Sequence, residues 1–168
     1  MGRMAQNLLL EGRVAGMPYF TDMRAVFEAF PGVCQDYDWL ISDLDCTWCA
    51  RDGESDPADE AFRSGSLAIS GHELGRFLDR NDIQFVWAVF SALPKGVKPA
   101  VDELPFAEGN PSFWKGSPKS QLPQSIFEIV CFDSTCTLLI GIDTELAGRF
   151  KAKFPEATDL DDFNRTSQ

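Results

Sequence analysis

Between Ile83 and Leu93 the chain is apolar on both alternations, with Ile83, Phe85, Trp87 and Val89 on one and Val86, Ala88 and Phe90 on the other. A strand sends successive side chains to opposite faces, so this run needs apolar cover above and below and belongs in the interior of a sheet. The rest of the chain has to supply both covers. At 168 residues it is long enough to do so, and it is expected to form a single domain over 1–168.

Helices and strands can be read around that centre. A first strand is expected over Asn7–Val14. Thr21 or Asp22 can cap a short helix whose apolar residues Met23, Val26, Phe27 and Phe30 recur at helical spacing, and Pro31-Gly32 ends it. Tyr37–Leu44 reads as a second strand and Leu67–Ile69 as a third. Ser70-Gly71-His72-Glu73 has capping-box spacing, and Leu74, Phe77 and Leu78 give the helix that follows one apolar face up to Asn81.

Ser125–Phe132 and Thr135–Ile142 flank Asp133-Ser134 as a β-hairpin. Phe127, Ile129 and Cys131 are expected to share a face with Cys136, Leu138, Ile140 and Ile142. Asp143 caps a last helix carrying Leu146, Phe150 and Phe154, stopped by Pro155, and residues 156–168 read as an acidic tail.

Residues 94–123 hold six of the ten prolines and four of the six lysines, a density that suits neither helix nor sheet interior. A loop of that length suggests a functional excursion, pinned to the body by Phe106, Phe113 and Trp114. The order of elements predicts an α+β fold, a largely antiparallel sheet with about three helices packed on it and one long Pro-rich loop.

Charge narrows the partners. Nine carboxylates lie between Asp36 and Glu60 against one cation, Arg51, and the net charge is -11. Such a surface repels phosphate backbones and anionic lipid and attracts basic proteins, so neither nucleic acid nor membrane is an expected partner. The acidic stretch from Asp45 to Gly65 is expected to be a long loop or partial helix. No stretch approaches the roughly 20 apolar residues of a membrane span, and the run Leu8–Leu10 is too short for a signal-peptide core. A cytoplasmic protein with reduced cysteines is expected.

Two cysteine pairs, Cys46/Cys49 as C-x-x-C and Cys131/Cys136 as C-x₄-C, have the count for a four-thiolate zinc site. The second pair sits on hairpin strands, opposite each other and in the core, and glycines of a zinc knuckle are missing. No metal or other cofactor is therefore expected. Carboxylates around Cys46 and Cys49 would also raise their thiol pKa values and blunt redox chemistry. His72, the one histidine, falls in the first turn of a capped helix, where a solvated surface role is usual.

Asp43-Leu44-Asp45-Cys46-Thr47 follows a strand and resembles the D-x-D-x-T signature of the haloacid-dehalogenase-like phosphatases. That resemblance implies Asp43 as nucleophile, Asp45 as general acid and both as Mg²⁺ ligands. Ser91 would be the phosphate-binding hydroxyl, Lys95, Lys98 or Lys115 the lysine, and Asp133 a late metal-binding acid. The family fold is a parallel α/β sheet, whereas here a strand and helix precede the signature and a hairpin follows Asp133.

In size, charge, the strands Tyr37-Asp38-Trp39-Leu40-Ile41 and Gln84-Phe85-Val86-Trp87, and the closing hairpin-helix, the chain resembles the small acidic immunity proteins of bacterial toxin systems. What this implies is a non-enzymatic inhibitor that binds a basic cognate toxin and needs no catalytic residue. The residues expected to make that contact are Asp43, Asp45, Trp48, Asp52, Glu54, Asp56, Asp59, Glu60 and Trp114, aromatic anchors ringed by charge.

Overall fold

The structure, a computed structural model, describes residues 4–11, 17, 20–100 and 102–167. Seven strands, β1 (Ala5–Glu11), β2 (Asp38–Ala50), β3 (Leu67–Ser70), β4 (Asn81–Leu93), β5 (Phe127–Phe132), β6 (Cys136–Asp143) and β7 (Thr158–Asp159), form one sheet. Their order is β3-β2-β4-β5-β6-β1-β7, and each neighbouring pair is antiparallel. The helices are α1 (Met23–Glu28), α2 (Val33–Asp36), α3 (Asp59–Arg63), α4 (Gly71–Arg80), α5 (Thr144–Lys153) and α6 (Leu160–Thr166). This is the α+β architecture expected from the sequence; α1, α4 and α5 are the three helices read there, and α2, α3 and α6 are additions. The first strand was expected to reach Val14; residues 12–14 lie outside the described residues.

Local chemistry explains the helix starts. Asp22, Ser70 and Asp143 each accept a hydrogen bond from the amide three residues on, and at α4 Glu73 completes the capping box. The first face of the sheet buries Leu8, Trp39, Ile41, Phe85, Phe90, Phe127 and Ile129 against Val26, Phe27, Phe30, Leu74, Phe77 and Phe150 of α1, α4 and α5 and the α1–α2 turn. Trp39 lies at the centre, edge-on to both Phe27 (5.3 Å) and Phe127 (5.8 Å), and donates its indole N–H to the Cys34 carbonyl at 2.9 Å. Burying each such ring stabilises by about 1.5–3 kcal/mol.

The second face is covered by the proline-rich loop and α6. Ala107, Phe113 and Leu160 pack on Leu9, Val89, Val130, Leu138 and Ile140, and Leu122 packs on Leu40 and Leu93. The loop is thus the second cover that β4 requires. Phe113 is buried and Trp114 half-buried against Phe132 and Phe163, but Phe106 is exposed and pins nothing.

Three irregularities decide which side chains face which cover. In β2 the register with β4 jumps from Ser42↔Val89 to Asp45↔Trp87 and then to Cys46↔Phe85. Asp43 at φ 49 sits in the extra stretch, so Leu44, Cys46 and Trp48 join the same face as Trp39 and Ile41. Opposite, the extra residue Val86 keeps Phe85 on the face of Ala88 and Phe90. Carbonyls released there are satisfied: Thr21 donates to that of Phe85 at 2.6 Å and the Ser134 amide to that of Val86 at 3.0 Å. A third irregularity, at Gly141 with φ 74, turns Ile142 to the first face while Ile140 stays on the second.

The hairpin forms where expected, but with a different register. Phe132 pairs with Cys136 and Cys131 with Thr137. Three residues, Asp133 to Thr135, therefore join the strands, with φ positive at Asp133 and Ser134. Phe127, Ile129 and Cys131 consequently share a face with Leu139, while Cys136, Leu138 and Ile140 point the other way.

Two further expectations are corrected. The stretch from Asp45 to Gly65 contains the partial helix expected, α3, but begins as a continuation of β2 to Ala50, and only residues 51–58 between them are loop. The expected tail over 156–168 is, through residue 167, no tail either, because Thr158 and Asp159 pair with Leu9 and Leu8. In α6 the Asn164 amide group donates to the carbonyls of Phe113 and Gly116 at 3.0 and 3.1 Å. Among the described residues no helix is long and apolar enough to cross a membrane.

Candidate functional site

The acidic residues singled out in the sequence separate into two groups. One group holds the fold. Asp43, in the β2 irregularity, accepts from the amides of Ala107 and Glu108 at 2.8 and 2.7 Å, both on Oδ2. Asp56, whose side chain is 2% exposed, lies 3.2 Å from the Arg80 guanidinium and 3.6 Å from that of Arg76. It also accepts from the Ala58 amide ahead of α3. Asp59 accepts from the Trp48 indole at 3.0 Å and from the Asp56 amide at 2.9 Å. Asp52 caps the turn by accepting from the Glu54 amide and pairs with Arg80; chiefly that amide holds its carboxyl below the ordinary aspartate range.

The other group faces water. Asp45, Glu54 and Glu60 are exposed and make no ion pair among the described residues. Arg51, the cation within the cluster, is 3.1 Å from Asp82 and neutralises none of them.

The two tryptophans do not form one anchor. Trp48 is half-buried on the first face, edge-on to Phe62 (6.3 Å) and Phe77 (5.9 Å), with the Arg63 guanidinium 5.1 Å above its ring. Phe62 in turn stacks on Phe77 at 3.9 Å. Trp114 belongs to the second face. Trp48 is thus the packing centre of the α3 arm, and the sheet separates it from Trp114.

The cysteines do not converge. Cys46 points to the first-face core and Cys49 to solvent, as residues three apart on a strand must, and Cys131 and Cys136 stand on opposite faces. Burial first, and the neighbouring Asp45 second, push the Cys46 thiol up to about 12. Among the described residues no three His, Cys, Asp or Glu side chains form a group that would hold a metal ion. His72 is exposed on the first turn of α4.

Sequence reasoning missed the side chains that bolt the proline-rich loop to the sheet. Glu128, fully buried in β5, accepts from the amides of Gln121 (3.0 Å) and Leu122 (2.9 Å) and faces the Ser91 hydroxyl at 3.4 Å. Burial raises its pKa above the ordinary glutamate value, against the opposing pull of those amides and hydroxyls. Asn7 donates to the Pro118 carbonyl and to Asp161, and Ser42 donates to the Pro105 carbonyl at 2.7 Å. The available signal was a lone carboxylate inside the apolar run Phe127–Phe132; a charge in such a run needs a dedicated set of donors.

Ser91, Asp43, Asp45 and Asp133, the acids and hydroxyl of the phosphatase-like pattern, are set in an antiparallel sheet rather than the parallel one that pattern implies. Ser91 is buried beneath the loop on Glu128, and Asp133 is in the exposed hairpin turn. Among the described residues, open grooves of about 240, 290 and 260 Å³ lie beside α1–α4, along β3 and beside Ile126, and neither Asp43 nor Asp45 lines these three. Comparison of the chain with family models, with curated proteins and with solved structures finds no match in any of the three.

Proposed function

We propose that this protein is a non-enzymatic, acidic protein-binding protein of the immunity type, an inhibitor that acts by occupying a basic partner such as a toxin. The observation that carries this reading is the surplus of solvent-facing carboxylates: after the structural acids have found their partners, Asp45, Glu54 and Glu60 have no ion-pair partner among the described residues, on a chain of net charge -11. Fields of that sign accelerate encounter with basic proteins and are screened beyond about 8 Å at physiological salt. The engagement of Asp43 with two loop amides supports a structural rather than a nucleophilic role for it.

The test has two arms. A basic protein captured by the purified chain should associate more slowly as salt is raised, and more slowly with Asp45, Glu54 and Glu60 changed to their amides. Hydrolysis of p-nitrophenyl phosphate with Mg²⁺ should stay at the buffer rate. Binding indifferent to both salt and the amides, or Mg²⁺-dependent turnover lost in Asp43→Asn, would overturn the reading.

A further inference from the structure

The exposed apolar side chains of the proline-rich loop are held in an arrangement that neither folding nor solubility explains. Residues 104–107 alternate: Pro105 and Ala107 are buried, while Leu104 and Phe106 point outward, each 46% exposed. Single exposed apolar side chains are ordinary on a surface, but these two point outward with one buried residue between them. Here six hydrogen bonds hold residues 105–108, three of them from β2 and three from within the loop. Ser42 binds the Pro105 carbonyl, Gln121 receives the Phe106 amide at 3.1 Å and donates to its carbonyl at 2.9 Å, and Asn110 donates to the same carbonyl at 3.0 Å. Asp43 takes the amides of Ala107 and Glu108.

The surrounding charge has one sign. Between residues 102 and 108 stand Asp102, Glu103 and Glu108, all exposed, with no cation in the segment and no ion pair to them among the described residues. An apolar pair ringed by like charge, on or beside backbone already fixed in place, is the arrangement of an interface anchor. Binding then orders little that was free before.

We infer that residues 102–108 are the contact point for the basic partner, with Leu104 and Phe106 as its apolar anchors and Asp102, Glu103 and Glu108 as its charged rim. This rests on the protein-binding reading above and places the apolar anchors in the loop segment that Asp43 tethers, rather than at Trp48 or Trp114. The partner surface that fits carries Lys or Arg around an apolar recess.

A phage-displayed random peptide library, panned at low salt on the immobilised protein, tests it. Enriched peptides should combine Lys or Arg with apolar residues. Synthetic copies should lose about tenfold or more in affinity to Leu104→Ser and to Phe106→Ser, and nothing to Ile126→Ser, an equally exposed apolar side chain elsewhere. The melting temperatures of all three variants should match the wild type, because the side chains changed are exposed. Basic peptides that bind all variants alike, or that lose as much to Ile126→Ser, would refute this surface and leave the acidic-binding reading standing. Enrichment of no peptides, or only of acidic or uncharged ones, would overturn both.

Discussion

Replacing Asp43 distinguishes a loop tether from a reactive carboxylate. The residue does two things at once: its Oδ2 accepts two loop amides at 2.7 and 2.8 Å, and its backbone sits at φ 49. In Asp43→Ala both bonds are lost while the backbone conformation must be kept. The Ala107 amide belongs to a fully buried residue and would be stranded, which removes about 1.5–3 kcal/mol for a bond to a charged acceptor. The Glu108 amide can turn to water and contributes little. A left-handed alanine adds about 1–2 kcal/mol, for a total of about 2.5–5 kcal/mol. Asparagine keeps an acceptor oxygen and tolerates that backbone, so Asp43→Asn should lose only about 1 kcal/mol. Asp43→Gly, relieved of strain but without an acceptor, should fall between them. Urea unfolding followed by tryptophan fluorescence gives the three differences. Hydrogen exchange should show the Ala107 amide protected in the wild type and in Asp43→Asn, and unprotected in the other two. Equal losses for Asn and Ala, or unchanged protection in Asp43→Ala, would refute the tether.

Two glycines should respond with opposite signs to alanine: at Gly71 the new Cβ would stand 1.9 Å from the Cys34 carbonyl oxygen and 2.4 Å from that of Tyr37, and Cys34 is held by Trp39. Thermal melts should place Gly71→Ala about 3 kcal/mol or more below the wild type and Gly148→Ala, with nothing within 4 Å inside α5, up to about 1 kcal/mol above it; a shared sign would refute the packing. The thiols make a pH prediction, since burial pushes Cys34 up to about 12 and Cys136 up to about 11, and Cys131 well above the ordinary range. Raised folded pKa values mean that stability is intact below the unfolded value near 9 and is lost as pH rises toward 11–12. Each thiol should contribute about 1.4 kcal/mol per pH unit in that window, so a denaturation series from pH 8 to 10.5 in Cys136→Ala should show a shallower decline than the wild type; an identical slope would count against it. At pH 8, exposed Cys49 should react with a disulfide reagent well before the buried thiols.

What the sequence determined about this protein was local. Asp22, Ser70 with Glu73, and Asp143 begin helices because the bonds they make close within three residues. The double apolar alternation of β4 demanded two covers, and the count of acids over bases fixed the net charge at -11. These need no knowledge of what lies opposite.

Tertiary structure decided which residue faces which cover, because that depends on single extra residues in strands paired far apart along the chain. Asp43, at positive φ, is tied there by the amides of residues 107 and 108 from 64 and 65 positions away, and that kink turns Cys46 and Trp48 inward. A three-residue connection at Asp133–Thr135, one longer than Asp133-Ser134 suggested, sent Cys131 and Cys136 to opposite faces. The same long-range pairing made a cover of the proline-rich segment and an edge strand with a helix of the last residues. Acids close in sequence were likewise sorted by distance to cations on α4: Asp56 meets Arg76 and Arg80 across 20 to 24 positions, a meeting that no local pattern of charge encodes.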